Sequence, residues 1–149
     1  MKLIFALDIK KKDLIQRIQT IYLLLATAAS LGLPYVFSLY SDSEGDAVWA
    51  SDNMLYIALF SASALLSFAA IFLYAKRQNQ FVLGRFNMIL NFFLLGVLVY
   101  HSQILSGGTA VLEKGIGMII PLVSIVLLAL ANKAIKRDED LVKSVDRLR

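Results

Sequence analysis

Residues 54–74 constrain this chain more than any other stretch, because all 21 of them lack a charge, a proline or a glycine. At about 1.5 Å per residue a helix of that length is roughly 31 Å long, about the thickness of a bilayer's hydrocarbon core. Inside lipid every backbone N–H and C=O must be paired within the protein, which leaves a helix as the natural state of such a segment. Its flanks differ in sign, with Asp52 just before it and Lys76 and Arg77 just after.

Three further apolar runs accompany it, at residues 18–40, 83–104 and 115–134. The first contains Gly32 and Pro34, where a kink is expected with neighbours satisfying the freed carbonyl. The fourth has Pro121 near its start. The reading is an all-α integral membrane protein: a four-helix transmembrane bundle, preceded by a basic leader at 1–17 and followed by an amphipathic tail at 135–149. The leader is expected to be a short interfacial helix or disordered. Its apolar start is too short for a signal peptide, and no small-residue cleavage site follows. Composition agrees, since 58% of the 149 residues are hydrophobic, 17% are charged and the mean hydropathy is +0.70.

Charge sets the expected orientation. Lys and Arg number five before the first span, none in the first loop, three in the second, one in the third and six in the tail. The positive-inside rule therefore puts the N-terminus, second loop and C-terminus in the cytoplasm. An even number of spans requires both ends on one side, which matches. Tyr35, Tyr40, Tyr56 and Tyr100 fall toward the opposite ends, where aromatic belts form. The net charge of +4 and pI near 9.4 follow from these cytoplasmic Lys and Arg, so no nucleic-acid partner is expected.

Several chemistries are excluded. The chain has no cysteine, which removes disulfides, thiolate metal sites and the cysteine pair of four-span thiol oxidases. A single histidine removes bis-histidine haem ligation within one chain. The apolar cores hold no Asp, Glu, Lys or Arg, the residues that mark proton relays and ion sites. Four-span multidrug exporters are similar in length and topology but depend on a membrane-embedded glutamate that is missing here. His101, with Gln103 and Glu113 near in sequence, reads as an interfacial hydrogen-bonded histidine, because a lone His–carboxylate pair lacks a nucleophile or second ligand. Asp42, Glu44 and Asp46 alternate with Ser43 and Gly45. A solvated acidic loop is preferred there over a weak divalent-cation site, since the twelve-residue calcium pattern is incomplete. Residues 106–109 read as a turn. No catalytic residue, cofactor or metal is expected, and the protein is not expected to be an enzyme.

Helix association in lipid relies on close packing and interhelical hydrogen bonds. Small residues four apart supply candidate packing rows: Ala26 with Ser30, Ala28 with Gly32, Ala58 with Ala62, and Ser63 with Ser67. These pack the bundle internally or form a seam with a second copy of the chain. Asn87 and Asn91 share one face of the third span, where Thr27, Ser63 or Ser67 could receive their amides. In the tail, Ile135, Leu141, Val142, Val145 and Leu148 cluster on one side, and Lys136–Asp140 and Glu139–Lys143 form four-residue charge pairs. Four acids among six bases suit anionic lipid poorly, so Leu141, Val145, Asp146, Arg147, Leu148 and Arg149 are candidate contacts to a protein partner.

The stretches Ile15-Gln-Arg-Ile-Gln-Thr-Ile-Tyr-Leu-Leu-Leu25 and Ser144-Val-Asp-Arg-Leu-Arg149, the latter within the tail segment from Ala131, resemble a family of small four-span bacterial membrane proteins classed as a domain of unknown function. The resemblance covers residues 15–149 and departs over the leader. It implies a bacterial inner membrane and carries no catalytic or ligand residue. The expected function is a non-enzymatic accessory or scaffold subunit that packs against membrane lipids and other inner-membrane subunits. The alternative is a small transporter or lipid-binding protein using the Asn87/Asn91 face.

Overall fold

The computed structural model describes residues 1–105 and 115–148, the side chains of residues 8, 12, 15 and 105 excepted. Four helices dominate: α1 (Lys2–Val36), α2 (Met54–Phe72), α3 (Arg77–Leu105) and α4 (Ile120–Arg147). Each is long and apolar enough to cross a membrane. They run alternately up and down, with α1 against α2 and α4, and α3 against α2 and α4. One end of the bundle carries the α2–α3 turn and both termini. The other carries a small hairpin between α1 and α2, and is called the hairpin end below.

Local chemistry sets the helix boundaries. Pro34 lies in the last turn of α1, and Phe37 leaves the helix in an extended conformation. The side chain of Asn53 accepts the Leu55 N–H at 2.9 Å and so caps α2. Pro121 occupies the first turn of α4, where no intrahelical partner for its missing N–H is needed. Between α1 and α2, β1 (Tyr40–Ser41) pairs antiparallel with β2 (Ala47–Val48). The connecting turn closes through Gly45 N–H to Asp42 C=O at 2.9 Å, with Gly45 at φ +87°. That left-handed conformation is what the glycine provides. A 3₁₀ turn, Ile116–Ile119, leads into α4 and packs on Ser38 and Leu39, between α1 and β1. The Gly117 N–H donates to Ser38 C=O at 2.9 Å, and a Cβ on Gly117 would lie 2.6 Å from that oxygen.

The boundaries expected from hydropathy change in three places. The leader at 1–17 is neither a separate interfacial helix nor disordered: α1 runs through it unbroken. The first run stops at Val36 rather than 40, because Tyr40 is recruited into the hairpin. The tail at 135–149 is not a separate element, since α4 continues through it to Arg147. Hydropathy marks where lipid begins and ends, whereas the backbone ladder of a helix continues past that boundary when no proline or glycine interrupts it, and neither 1–17 nor 135–147 contains one. The turn expected at 106–109 lies outside the described residues.

The distribution of polarity is inverted relative to a water-soluble bundle. Large apolar side chains such as Leu65, Phe86, Ile89, Phe92 and Phe93 are 58% or more exposed on the outer surface. The interior meanwhile holds Gln19, Ser30, Ser63, Ser67, Gln80, Asn87, Asn91 and Ser124, each no more than 1% exposed. An apolar exterior of that extent needs a lipid environment, and polar interior groups are what hold helices together there. Two apolar clusters bracket the polar layer. Leu39, Tyr56, Phe60, Leu94, Leu98 and Ile120 fill the hairpin end, and Leu23, Ala26, Ala70, Leu128 and Ala131 fill the terminal half.

Candidate functional site

The polar interior is arranged in three levels along the bundle. At mid-height, α3 presents Asn87 and Asn91 one turn apart on the face toward α2. The Asn87 Nδ2 donates to the Ser63 carbonyl at 2.9 Å and to the Ser67 hydroxyl at 2.7 Å. The Asn91 Nδ2 donates to Ser63 Oγ at 2.8 Å and to the Asn87 carbonyl at 2.9 Å. The network crosses the bundle through Ser30 Oγ, which lies 3.3 Å from Ser63 Oγ and 3.2 Å from Ser124 Oγ. One connected set of short polar side chains thus ties all four helices together. Thr27, the other expected partner, instead returns its hydroxyl to the Leu23 carbonyl at 2.8 Å.

At the hairpin end, the Tyr56 hydroxyl lies 2.6 Å from His101 Nδ1 and donates to the Tyr40 hydroxyl at 3.3 Å. Tyr56 is fully buried and its ring meets both partners edge-on. This cluster joins the hairpin, α2 and α3. The expected neighbour Glu113 lies outside the described residues. The acidic turn beside it is self-contained: Asp42 Oδ1 accepts the Ser43 N–H at 2.6 Å. Among the described residues no group of three or more His, Cys, Asp or Glu side chains could hold a metal ion.

At the terminal end, Arg77 Nε donates to Asp138 Oδ2 at 2.6 Å, with the Asp138 side chain only 1% exposed. This pair fastens the α2–α3 turn to α4. Gly84 lies against Asn132, close enough that a Cβ there would collide with Asn132 Oδ1, so α3 and α4 approach closely at this level. Gln19 and Gln80 are buried nearby along α1 and α3.

Of the residues singled out from sequence, Ser30, Ser63, Ser67, Asn87 and Asn91 are brought together. Ala28, Gly32 and Ala58 face outward, and Ala62 is half-buried. Of the two rows expected on α1, Ala26 and Ser30 pack inward, while Ala28 and Gly32, two positions on, lie on nearly the opposite face. In the tail, Leu141 and Val142 are half-buried, while Val145, Asp146, Arg147 and Leu148 are exposed; Arg149 lies outside the described residues. The Glu139–Lys143 pair forms at 2.8 Å. Lys136–Asp140 is not among the ion pairs of the described residues. Two surface clefts, of about 480 and 460 Å³, are lined by residues 13–21 of α1 and by Leu55, Gly96 and His101 with their neighbours. Neither includes Asn87 or Asn91.

Sequence reading missed Gln19, Gln80 and Asp138 as interior residues. The signal was present for Asp138, which sits three residues after Ile135 and four before Val142, inside the apolar stripe of the tail rather than on its polar side.

The arrangement defines a class: a multi-pass helical membrane protein with a polar interior. A family model described as Domain of unknown function (DUF4293) matches residues 15–148, and the chain belongs to that family. No curated protein and no solved structure matches it.

Proposed function

We propose that the protein is a non-enzymatic accessory or scaffold subunit of a bacterial inner-membrane assembly, with both termini in the cytoplasm. The orientation follows from the Lys and Arg distribution, which loads the terminal end and leaves the hairpin loop without a basic residue. The observation that carries the reading is the end of α4. Beyond the buried Ile135 and Asp138, Val145 is 49% and Leu148 90% exposed, with Asp146 and Arg147 between them. Apolar side chains displayed at the charged end of the bundle, outside the four-helix core, fit a protein surface better than water. The outward Ala28 and Gly32 of α1 offer a second face, where a partner helix or another copy of the chain could approach closely.

The mid-level asparagines support the same reading. Their amide nitrogens are bonded to Ser63 and Ser67 of α2, which is what helix adhesion requires, and Asn91 Oδ1 alone of this pair has no partner among the described residues. The test is affinity purification in mild detergent of the full chain against a chain ending after Lys143. Ending at that point retains Asp138 and its bond to Arg77, so the core is preserved. Co-purification of a defined membrane partner with the full chain only is the expected result. Equal recovery with both chains, or no partner with either, contradicts it.

A further inference from the structure

Gln19 and Gln80 are 0% and 1% exposed, and neither amide has a hydrogen-bond partner for its oxygen or its nitrogen among the described residues. Asp138 Oδ1 and Asn132 Oδ1 are likewise unpaired, although the other polar atom of each side chain is bonded. These are six of the seven unpaired buried side-chain polar atoms among the described residues, the seventh being Asn91 Oδ1 at mid-height, and the six would be a heavy desolvation penalty if they were scattered. Helix register gathers them. The Ser30–Ser124 contact sets the antiparallel alignment of α1 with α4, and counting eleven residues toward the terminal end brings Gln19 level with residue 135. The Arg77–Asp138 bond sets α3 against α4, and three residues further along α3 brings Gln80 level with residue 135 as well. Asn132 and Asp138 lie three residues to either side of that position.

We infer that the terminal end of the bundle encloses a hydrated site, in which water molecules bridge the Gln19 and Gln80 amides, Asp138 Oδ1 and Asn132 Oδ1. Water satisfies the site where a cation does not, for two reasons. The unpaired atoms include two amide nitrogens as well as four oxygens, and only an occupant that both donates and accepts satisfies both kinds. Arg17, Lys133, Lys136 and Arg137 at this level are exposed, and among the described residues the charges turned into the bundle here are Arg77 and Asp138, which already neutralise each other, so a buried cation would leave an uncompensated positive charge. The site is closed toward mid-height by Leu23 and Ala26 of α1 and Leu128 and Ala131 of α4, each no more than 1% exposed, which lie between the Gln19–Ile135 level and the Ser30–Ser124 contact. Leu94 and Leu98 belong to the separate apolar cluster at the hairpin end.

The test uses the full native chain in lipid nanodiscs and hydroxyl radicals generated in place by brief X-ray exposure, which mark side chains beside bound water. Ile135, Leu94 and Leu98 are all 0% exposed. Oxidation of Ile135 at about ten times the rate of Leu94 and Leu98 is expected, because only Ile135 sits at the hydrated level. Equal, low oxidation at all three would overturn the inference. Repeating the exposure with choline replacing sodium and potassium should leave Ile135 unchanged; a dependence on alkali cation would place an ion there instead and contradict the water assignment. Gln80→Leu removes two of the unpaired atoms and should lower Ile135 oxidation several-fold, and an unchanged rate counts against the site.

Discussion

Replacing Asn87 by leucine tests the adhesive role of the polar layer most sharply. The side chains are similar in volume, so packing is nearly conserved while the interhelical hydrogen bonds to the Ser63 carbonyl and Ser67 hydroxyl are lost, together with the bond that Asn87 Oδ1 accepts from Asn91 within α3. Interhelical bonds in membranes contribute about 0.6 kcal/mol on average and up to roughly 1.7. Two of them give about 1–2 kcal/mol, or a factor of roughly 5–30 in the folding equilibrium. Ser67 can then return its hydroxyl to its own helix, which keeps the loss near the lower figure. The assay is reversible unfolding in bicelles followed by circular dichroism. A double-mutant cycle with Ser67→Ala isolates the bond, with an expected coupling of about 0.6–1.7 kcal/mol. A coupling indistinguishable from zero, or a stabilised Asn87→Leu chain, would show that these bonds do not hold α2 to α3.

Arg77→Leu leaves Asp138 without its cation at 1% exposure and should destabilise by about 3 kcal/mol, whereas Arg77→Leu with Asp138→Leu should recover most of that loss; the same unfolding assay measures both. Gly84→Ala and Gly96→Ala should shift the thermal midpoint in opposite directions. A Cβ at Gly84 meets Asn132 Oδ1 and costs about 1–3 kcal/mol, while a Cβ at Gly96 meets nothing within 4 Å and gains up to about 1 kcal/mol of helix propensity. Gly45→Ala, at φ +87°, should loosen the hairpin by about 1–2 kcal/mol and speed amide exchange at Asp42 and Gly45 while leaving the helices unchanged.

The four long helices were legible from hydropathy because lipid imposes a minimum apolar length that few other constraints mimic. The Asn87–Asn91 face was legible for a similar reason: polar residues four apart in an apolar run have little choice but a neighbouring helix. What hydropathy could not locate was the inward face of a helix with small residues on every side. On α1, Ala26, Ala28, Ser30 and Gly32 are all small, and only the partner's position decides that Ala26 and Ser30 turn inward. Asp138 was hidden for a different reason. It sits among Lys136, Arg137, Glu139 and Asp140, a run that reads as solvated, although its place on the Ile135–Val142 stripe directs it into the bundle. The short hairpin strands also lack any periodic pattern of their own. They follow from Gly45 and from the space between the ends of α1 and α2.

The central claim is a membrane-spanning bundle whose hairpin end and terminal end lie on opposite sides. The native chain contains no cysteine, so single introduced thiols report without background. Ser43→Cys in the hairpin turn, Lys2→Cys at the start of α1 and Ser144→Cys near the end of α4 are all at exposed positions. Labelling intact cells with a membrane-impermeant thiol reagent should modify the thiol at position 43 at once, and those at positions 2 and 144 only after permeabilisation. Modification of position 43 together with position 2 or 144 in intact cells would contradict the account.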